Sequence, residues 1–123
     1  ERQMHMINLC QHTINILQRG DGLPPISVPA SGQVARCKVL KGEDLPALST
    51  ELGVEVKTAS TMGAVEGLPP PETGMIFLVS TLVATHPDVR GRRDVFSPGE
   101  LVRGADGQPT GCRGLVQAPK KDL

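Results

Sequence analysis

Short apolar runs, separated by residues that favour turns, set the pattern of this chain. Apolar and polar residues alternate or run together over 6–18 and predict strand structure, which a turn at Asp21-Gly22 ends. The segments 26–30 and 34–40 predict a second pair of strands, joined at Ser31-Gly32. Alternation returns over 54–60 and predicts a further strand.

Two segments predict helical structure, one that ends at Gly53 and one that begins at Ser80 or Thr81. The proline loop 66–74, which is too stiff for a central strand, lies between them. Asp44 is placed to cap one short helical turn that ends at Gly53, and Pro46 argues against a longer helix. The most apolar run, "MIFLV" (75–79), predicts a buried strand. Ser80 or Thr81 then caps a short helix that extends to His86, because Pro87 follows.

The C-terminal part predicts a basic loop followed by two or three strands, with a hairpin turn at Asp106-Gly107. We therefore predict an α+β fold: a compact, β-rich single domain with one short helix after a buried strand. The domain is expected over 6–118, with flexible termini at 1–5 and 119–123.

Composition points to a thin core. The chain has 123 residues, 14 glycines, 11 prolines, two phenylalanines and no tryptophan or tyrosine. A core of Val, Ile, Leu and Met alone is small for a monomer of this length. We therefore predict a homo-oligomer, a dimer or higher, which buries the apolar surfaces of "MIFLV" (75–79) and "LVATH" (82–86) between subunits.

Charge and cysteine content limit the partners. Thirteen basic residues balance thirteen acidic ones, so attraction to an anion must be local. Three separated cysteines form no zinc motif and are expected to be reduced thiols. No run reaches the ~20 apolar residues of a membrane span. We expect a protein of the host cell cytoplasm that binds no metal, no cofactor and no membrane.

Two arginines near the C-terminal turn are the first candidates for an anion site. Arg103 and Arg113 flank the turn, and in a hairpin they are expected to face each other across the ladder. Like charges in that position are unfavourable unless an anion lies between them, and the guanidinium fork suits phosphate. The alternative is that both arginines point to water or pair with Asp94 and Glu100.

Four further residues complete the candidate ligand site. Arg36 lies on the polar face of its predicted strand, and Ser80 and Thr81 offer hydroxyls and backbone N–H groups at a helix start. Phe96 is the better placed of the two aromatic residues for a ligand wall. The alternatives are a solvated Arg36, an ordinary helix cap and a core phenylalanine.

The segment "RGRRD" (90–94) raises the question of nucleic acid. It lacks the interleaved aromatic residues on which bases stack, and the chain has no net charge, so a solvated loop is expected rather than a nucleic-acid site. No paired-carboxylate, P-loop, GxGxxG or HExxH pattern occurs, and no acid orients His12. We predict no catalytic residues and no enzymatic activity.

Five motifs in order carry a resemblance. They are "INLCQHTINI", "PASGQVARC", "GAVEGLPPP", "FLVSTLVAT" and "LVRGADGQPTGCRGLV". The chain resembles a family of small proteins encoded by phages and prophages. It departs from the family pattern at Cys10, where the pattern has Thr, at Ala64, where it has Glu, and at Gly104, where it has Asp. In size, architecture and viral origin the family is similar to the Thoeris anti-defence sponges, which sequester cyclic ADP-ribose signals without cleaving them.

Two functions from different classes follow. The resemblance implies a phage-encoded binding protein that sequesters a phosphate-bearing nucleotide immune signal of the cyclic ADP-ribose type and so counters host defence. The alternative is a structural or assembly protein of a phage particle or prophage module, in which the β-rich architecture serves as interaction surface.

Overall fold

The computed structural model describes residues 4–20 and 22–121. These residues form a strand-rich, compact domain with eight strands and two short helices. In chain order the elements are β1 (His5–Asn8), β2 (Ile14–Leu17), β3 (Ile26–Val28), β4 (Arg36–Leu40), α1 (Pro46–Leu52), β5 (Thr61–Glu66), β6 (Met75–Leu78), α2 (Thr81–Ala84), β7 (Val95–Arg103) and β8 (Pro109–Gln117).

Six of the strands form a sheet that nearly closes into a barrel. The strand order is β1-β6-β7-β8-β2-β3, with parallel pairs β1–β6, β6–β7 and β2–β8 and antiparallel pairs β7–β8 and β2–β3. These directions make the two outer strands, β1 and β3, parallel to each other. A single parallel bridge between Asn8 and Ala30 joins the two ends. Closure protects the edges that an open sheet would expose.

Asn8, at the end of β1, connects the two edges of this sheet. Its side chain is 1% exposed, and its Nδ2 donates to the carbonyl oxygens of Val28 (2.9 Å) and His12 (2.8 Å). Its Oδ1 accepts from the backbone N–H of Cys10 at 2.8 Å. The backbone carbonyl of Asn8 accepts from Ser31 at 3.0 Å. All the side chain's polar atoms are therefore used in holding β1, the turn that follows it and β3 together.

Strand β6 separates two apolar cores. Phe77 and Val79 belong to the core that contacts α2, together with Leu9, Val83 and Val95. Leu78 belongs to the other core, which contains Ile14, Ile16, Val28 and Cys112. A strand that is buried on both faces is expected to be continuously apolar, which explains the run "MIFLV".

The chain between β3 and β6 makes an excursion from the barrel. Strands β4 and β5 pair only with each other, and α1 lies between them in sequence. No residue from 36 to 75 is buried, although Cys37, Val65, Leu68 and Met75 contact the core from the excursion's base. The buried ring of His86 anchors the excursion, since its Nδ1 accepts from Asp88 N–H and its Nε2 therefore donates to the Gly63 carbonyl at 2.7 Å.

Several predicted elements are confirmed. The domain is β-rich, and the apolar run forms a strand, Met75–Leu78, which is buried from Ile76 onward, as is Val79 after it. A short helix follows as predicted, but it ends at Ala84 and does not extend to His86. Ser80 is the helix N-cap, and its Oγ accepts from Val83 N–H. The turn at Asp106-Gly107 joins β7 to β8, and Gly107 takes a φ of 80°, which glycine adopts without strain. The predicted turn after 6–18 joins β2 to β3, although Asp21 itself lies outside the described residues.

The prediction of one helix is wrong, because α1 is a second helix and is longer than α2. Leu45, and not Asp44, is its N-cap residue. Pro46 occupies the first turn, where its missing N–H costs no hydrogen bond, so the residue that argued against a helix in fact begins one. The helix ends at Gly53 in the left-handed conformation, as its sequence indicates.

Two strand predictions are also wrong. Segments 26–30 and 34–40 do not pair with each other, because β3 pairs with β2 and β4 pairs with β5. Segment 54–60 is not a strand. The backbone N–H of Val56 donates to Ser49 Oγ (2.8 Å), and its carbonyl accepts from Leu45 (2.9 Å), so α1 takes the hydrogen bonds that a partner strand would have made.

The apolar surfaces assigned to subunit contact are mostly interior. Ile76, Phe77, Leu78 and Val79 are buried within the chain itself, as are Val83 and Ala84. Of the second surface, Leu82 and Thr85 are exposed, and Leu82 is the exposed apolar residue among them. The physical reason is that β6 lies between two cores and α2 packs on one of them. The largest exposed apolar side chains of the excursion instead include Val39, Leu40, Leu52 and Val54.

The ends of the folded part extend slightly beyond 6–118. His5 belongs to β1 and its N–H donates to Gly74, while the Pro119 carbonyl accepts from Gly91. Of the termini expected to be flexible, residues 1–3 and 122–123 lie outside the described residues. Within the described ranges, no helix has the length and apolar character needed to cross a bilayer.

The role of Asn8 generates a stability prediction. In Asn8→Asp a carboxylate replaces the amide that donates to two carbonyls, so two donors are lost and charge is buried. We expect a loss of at least about 3 kcal/mol of unfolding free energy in urea titrations at neutral pH. The control is Asn15→Asp, because Asn15 Oδ1 accepts from Ser27 and a carboxylate can do the same. Equal stability of the two variants would contradict the closing role of Asn8.

Candidate functional site

A groove of about 520 Å³ opens between the turn after β1, the beginning of β4 and the beginning of α2. We call it the Cys10 groove. One wall is apolar and the rest carries polar or sulfur-containing side chains. The apolar residues are Leu9, Val34, Ala35, Leu82 and Val83, and the others are Cys10, Gln11, His12, Arg36, Cys37 and Ser80. Ligand pockets typically combine a mainly apolar lining with a few polar groups in this way.

The turn after β1 positions one side of the groove. Asn8 bonds to the backbone of both Cys10 and His12, and Leu9 N–H donates to the Leu78 carbonyl at 2.8 Å. Ala35 N–H in turn donates to the Leu9 carbonyl at 3.0 Å, which fixes the approach to β4. The side of the groove that lies in the turn after β1 is therefore built on backbone held by the closing contact of the barrel.

Two of the predicted site residues lie in this groove. Ser80 reaches it from the end of β6 with its hydroxyl in the helix cap, which occupies one N–H of α2. Arg36 enters from the first position of β4 with an exposed side chain. Its cross-strand neighbour is Glu66, and the two side chains form no ion pair.

A third predicted residue, Thr81, lies beside the groove. A pocket of about 340 Å³ shares Cys10, His12 and Ser80 with it and adds Thr81 and Leu101. Thr81 is exposed, and its carbonyl accepts from Thr85. Helix α2 has four residues, so the helix dipole contributes little here and the hydroxyls matter more.

The groove's chemistry suits binding better than nucleophilic attack. Burial raises the pKa of the Cys10 thiol, so at neutral pH it stays protonated and is a poor nucleophile. Cys10 Sγ lies 3.9 Å from the Leu78 carbonyl, which a protonated thiol approaches as a weak donor. Among the described residues, the lining holds no carboxylate that would orient His12. Cation, hydroxyl and imidazole are groups that hold a phosphate.

The two hairpin arginines do not face each other. Arg103 is opposite Pro109, and Arg113 is opposite Glu100, three positions away along β7, or about 10 Å. An irregularity between Val102 and Arg103 shifts the register. Arg103 Nη1 donates to the Gly107 carbonyl at 2.9 Å and so caps its own turn. The expectation of a facing pair was wrong because a hairpin that turns at Asp106-Gly107 places Glu100, and not Arg103, opposite Arg113; the irregularity moves the partner of Arg103 by only one residue.

The expected alternative partners of these arginines are only partly present. Asp94 is engaged by Arg92 rather than by either hairpin arginine. Glu100 lies opposite Arg113 across the ladder, but the two side chains form no ion pair. Phe96 is half-buried and packs against the core that contains Leu78, so it offers little ring to a ligand. Arg103, Arg113 and Phe96 therefore lie apart from the Cys10 groove.

Sequence reasoning missed His12 and Gln11 as lining residues. Both belong to the motif "INLCQHTINI", but neither residue has an acid or a ligand-type partner at a recognisable spacing. The signal was Asn8, a polar residue that ends an apolar run and so indicates a structured turn. Among the described residues, no group of three or more His, Cys, Asp or Glu side chains is arranged to hold a metal ion.

The basic loop 90–94 is more ordered than a solvated loop. Arg92 donates to both carboxylate oxygens of Asp94 at 2.8 Å and to the Pro69 carbonyl at 3.0 Å. Both side chains are mostly buried. The side-chain hydrogen bonds from Arg92, together with its charge, lower the pKa of Asp94 against the opposing effect of burial. The pair ties the proline loop to the start of β7.

Comparisons of the chain with protein-family models, with curated proteins and with solved structures find no match. The site is therefore described by its own geometry: a nearly closed, strand-rich sheet with a partly apolar groove beside its closing contact.

The Arg92–Asp94 pair generates a pH prediction. The folded state lowers the pKa of Asp94, so the pair stabilises the fold above the unfolded value of about 3.9 and this stability is lost as pH falls through the folded value. We expect Asp94→Asn to be less stable than the wild type by about 1–2 kcal/mol at pH 6. The deficit should shrink as the pH falls below about 4. Urea unfolding of both proteins at pH 6 and at pH 2.5 measures this difference in stability.

The control for this prediction is Asp44→Asn. Asp44 is highly exposed and lies 3.9 Å from Lys57 Nζ, so its loss should change stability by less than about 0.5 kcal/mol at either pH. A deficit of Asp94→Asn that is equally large at pH 2.5 and pH 6 would show that the ion pair is not its source.

Proposed function

We propose that this protein is phage-encoded, that it binds a small phosphate-bearing nucleotide of the cyclic ADP-ribose type in the Cys10 groove, and that it sequesters this nucleotide without cleavage, which counters host defence. The observation that carries the proposal is the groove itself, which joins an apolar wall to Arg36, His12 and Ser80. Its volume of about 520 Å³ lies within the range of pockets for small ligands. The viral origin and the class of signal rest on the motif resemblance.

The arrangement suggests a division of the ligand between the two parts of the groove. The apolar wall of Val34, Leu82 and Val83 suits the face of a base or the carbons of a ribose. Arg36 suits a phosphate, because charge-assisted hydrogen bonds to a guanidinium are strong and its side chain has no competing ion pair. A protonated Cys10 thiol offers no attack on the bound ligand, which agrees with sequestration rather than cleavage.

The binding prediction concerns Arg36. Charge-assisted hydrogen bonds contribute roughly 1.5–3 kcal/mol, so Arg36→Ala should weaken the binding of a cyclic ADP-ribose isomer by about ten- to a hundredfold. Calorimetric titration of each isomer into both proteins measures this, and mass spectrometry after heating should recover the ligand intact. The matched control is Lys38→Ala, which removes an exposed cation from the same strand, outside the groove.

Arg103→Ala and Arg113→Ala are included in the titration, since the sequence pattern assigns the anion site to them. If these variants lose binding while Arg36→Ala retains it, the proposal of a ligand site in the Cys10 groove is contradicted and the hairpin is the site. Absence of binding by the wild type for all isomers would reject this ligand class. Recovery of a cleaved product would reject sequestration.

Self-association is part of the same proposal, now at a different surface. The excursion from 36 to 75 has no buried residue, yet Leu52 and Val54 are 59% and 61% exposed, with Val39 and Leu40 also exposed. A two-stranded sheet with a short helix is marginally stable alone. A second copy that packs against the excursion would bury some of these apolar side chains, as in the isologous contacts of most dimers.

We expect light scattering to give at least twice the monomer mass of 13.0 kDa. Leu52→Asp should shift the protein to monomer, because a charge at the centre of an apolar interface is costly. Leu23→Asp is the control, since Leu23 is 50% exposed but lies in the turn between β2 and β3. A wild-type mass of 13 kDa across a wide concentration range would reject self-association.

The second candidate function is a structural or assembly protein of a phage particle, and the same exposed excursion favours it. In that case the surface would contact other particle proteins, and nucleotide would be absent from the purified protein. Mass spectrometry of protein purified from signal-producing cells distinguishes the two: released intact nucleotide supports sequestration, whereas an empty protein that co-sediments with particles supports assembly.

A further inference from the structure

A second cleft, of about 540 Å³, lies where the loop before β7 meets the chain after β8. We call it the basic cleft. It is distinct from the Cys10 groove, since the two share no described lining residue. Its lining residues are mainly cationic or small: Gly91, Arg92, Arg93, Gln117, Ala118, Lys120 and Lys121.

Backbone hydrogen bonds hold the two sides of the basic cleft together. Gly91 N–H donates to the Pro119 carbonyl at 2.8 Å, and Ala118 N–H donates to Val95 at 2.8 Å. The Gln117 side chain donates to the Arg93 carbonyl at 2.9 Å. Gly91 has a φ of 88°, and a Cβ there would lie 3.1 Å from Lys121 Cβ, so the two segments approach as closely as a glycine allows.

Three cations in the basic cleft have no acidic partner among the described residues. Arg93, Lys120 and Lys121 are exposed and form no ion pair there, whereas Arg92 is held by Asp94. The described lining contains no carboxylate. Asp122 follows in sequence and lies outside the described residues. A chain with zero net charge thus concentrates three free positive charges in one concave surface, which focuses its field on an anion.

The composition of the basic cleft narrows the class of anion. Among the described residues its lining has no aromatic side chain, so it offers no aromatic platform for stacking a base. Cations gathered on one concave surface instead fit a compact group with several negative charges. We infer that the basic cleft binds a compact polyphosphate group, such as a free triphosphate or the triphosphate of a nucleotide, through Arg93, Lys120 and Lys121.

The test is calorimetric titration of inorganic triphosphate at fixed, moderate ionic strength. The cleft variant carries Arg93→Ala, Lys120→Ala and Lys121→Ala. The control variant carries Arg19→Ala, Lys38→Ala and Lys41→Ala, which removes the same number and kinds of exposed charge from other surfaces and leaves the same net charge. We expect the cleft variant to bind at least about a hundredfold more weakly than the wild type, and the control to stay within about threefold.

The single variant Lys120→Gln serves if the triple variant fails to fold, and it should weaken binding by about tenfold. Two further ligands identify the source of the phosphate. Equal affinity for inorganic triphosphate and a nucleoside triphosphate supports the proposal, because it shows that the phosphates alone are recognised. Tighter binding of a single-stranded oligonucleotide than of triphosphate overturns it in favour of a nucleic-acid backbone.

The proposals for the basic cleft and for the Cys10 groove can be rejected independently of each other. Arg36→Ala should leave triphosphate binding unchanged, and the cleft variant should leave binding of cyclic ADP-ribose unchanged. The proposal that the basic cleft binds polyphosphate is overturned if the wild type does not bind triphosphate. It is also overturned if the cleft variant and the control variant lose the same amount of affinity. Loss of triphosphate binding in Arg36→Ala also overturns it, because the anion would then lie in the groove.

Discussion

The buried amide of Asn8 is the interaction on which the rest of this structure depends. The two outer strands of the six-stranded sheet are 18 or more residues apart and meet through one isolated bridge, so few backbone hydrogen bonds join them. The Asn8 side chain adds two donors and one acceptor at this point, and all three are used. The same contacts shape the turn that lines the Cys10 groove. The contacts that close the sheet therefore also build the candidate site. The turn residues that line the groove are held as rigidly as the end of a strand.

The structure divides the chain into a part with a core and a part without one. The barrel strands and α2 enclose two apolar clusters around β6, which compensates for the scarcity of aromatic residues. The excursion contributes only contacts at its base, and His86 fixes it through the Gly63 carbonyl. An ordered segment with exposed leucine and valine is stable when another surface covers it. This is the physical reason that self-association is proposed at the excursion rather than at the interior strand.

The zero net charge of this protein conceals local concentrations of charge. Thirteen cations balance thirteen anions, yet Arg92 and Asp94 neutralise each other in a mostly buried pair, while Arg93, Lys120 and Lys121 share one cleft. The pair gives the loop its shape, and the neighbouring cations are left for an external anion. Arg103 shows the opposite use of a cation, since its guanidinium serves the backbone of its own turn. A guanidinium near a turn is therefore as readily a turn cap as a ligand group.

Sequence by itself determined the local features of the fold. Runs of apolar residues identified β6, Ser80 identified the start of α2, and glycine with an acidic neighbour identified the last hairpin, because each depends on a few adjacent residues. Of the predicted site, Arg36, Ser80 and Thr81 border one surface, and Arg103, Arg113 and Phe96 do not. Only the tertiary structure decided which strands pair, that 54–60 bonds to α1 and that two basic segments meet at one cleft. These outcomes depend on contacts between distant residues, whose free energies no local pattern records.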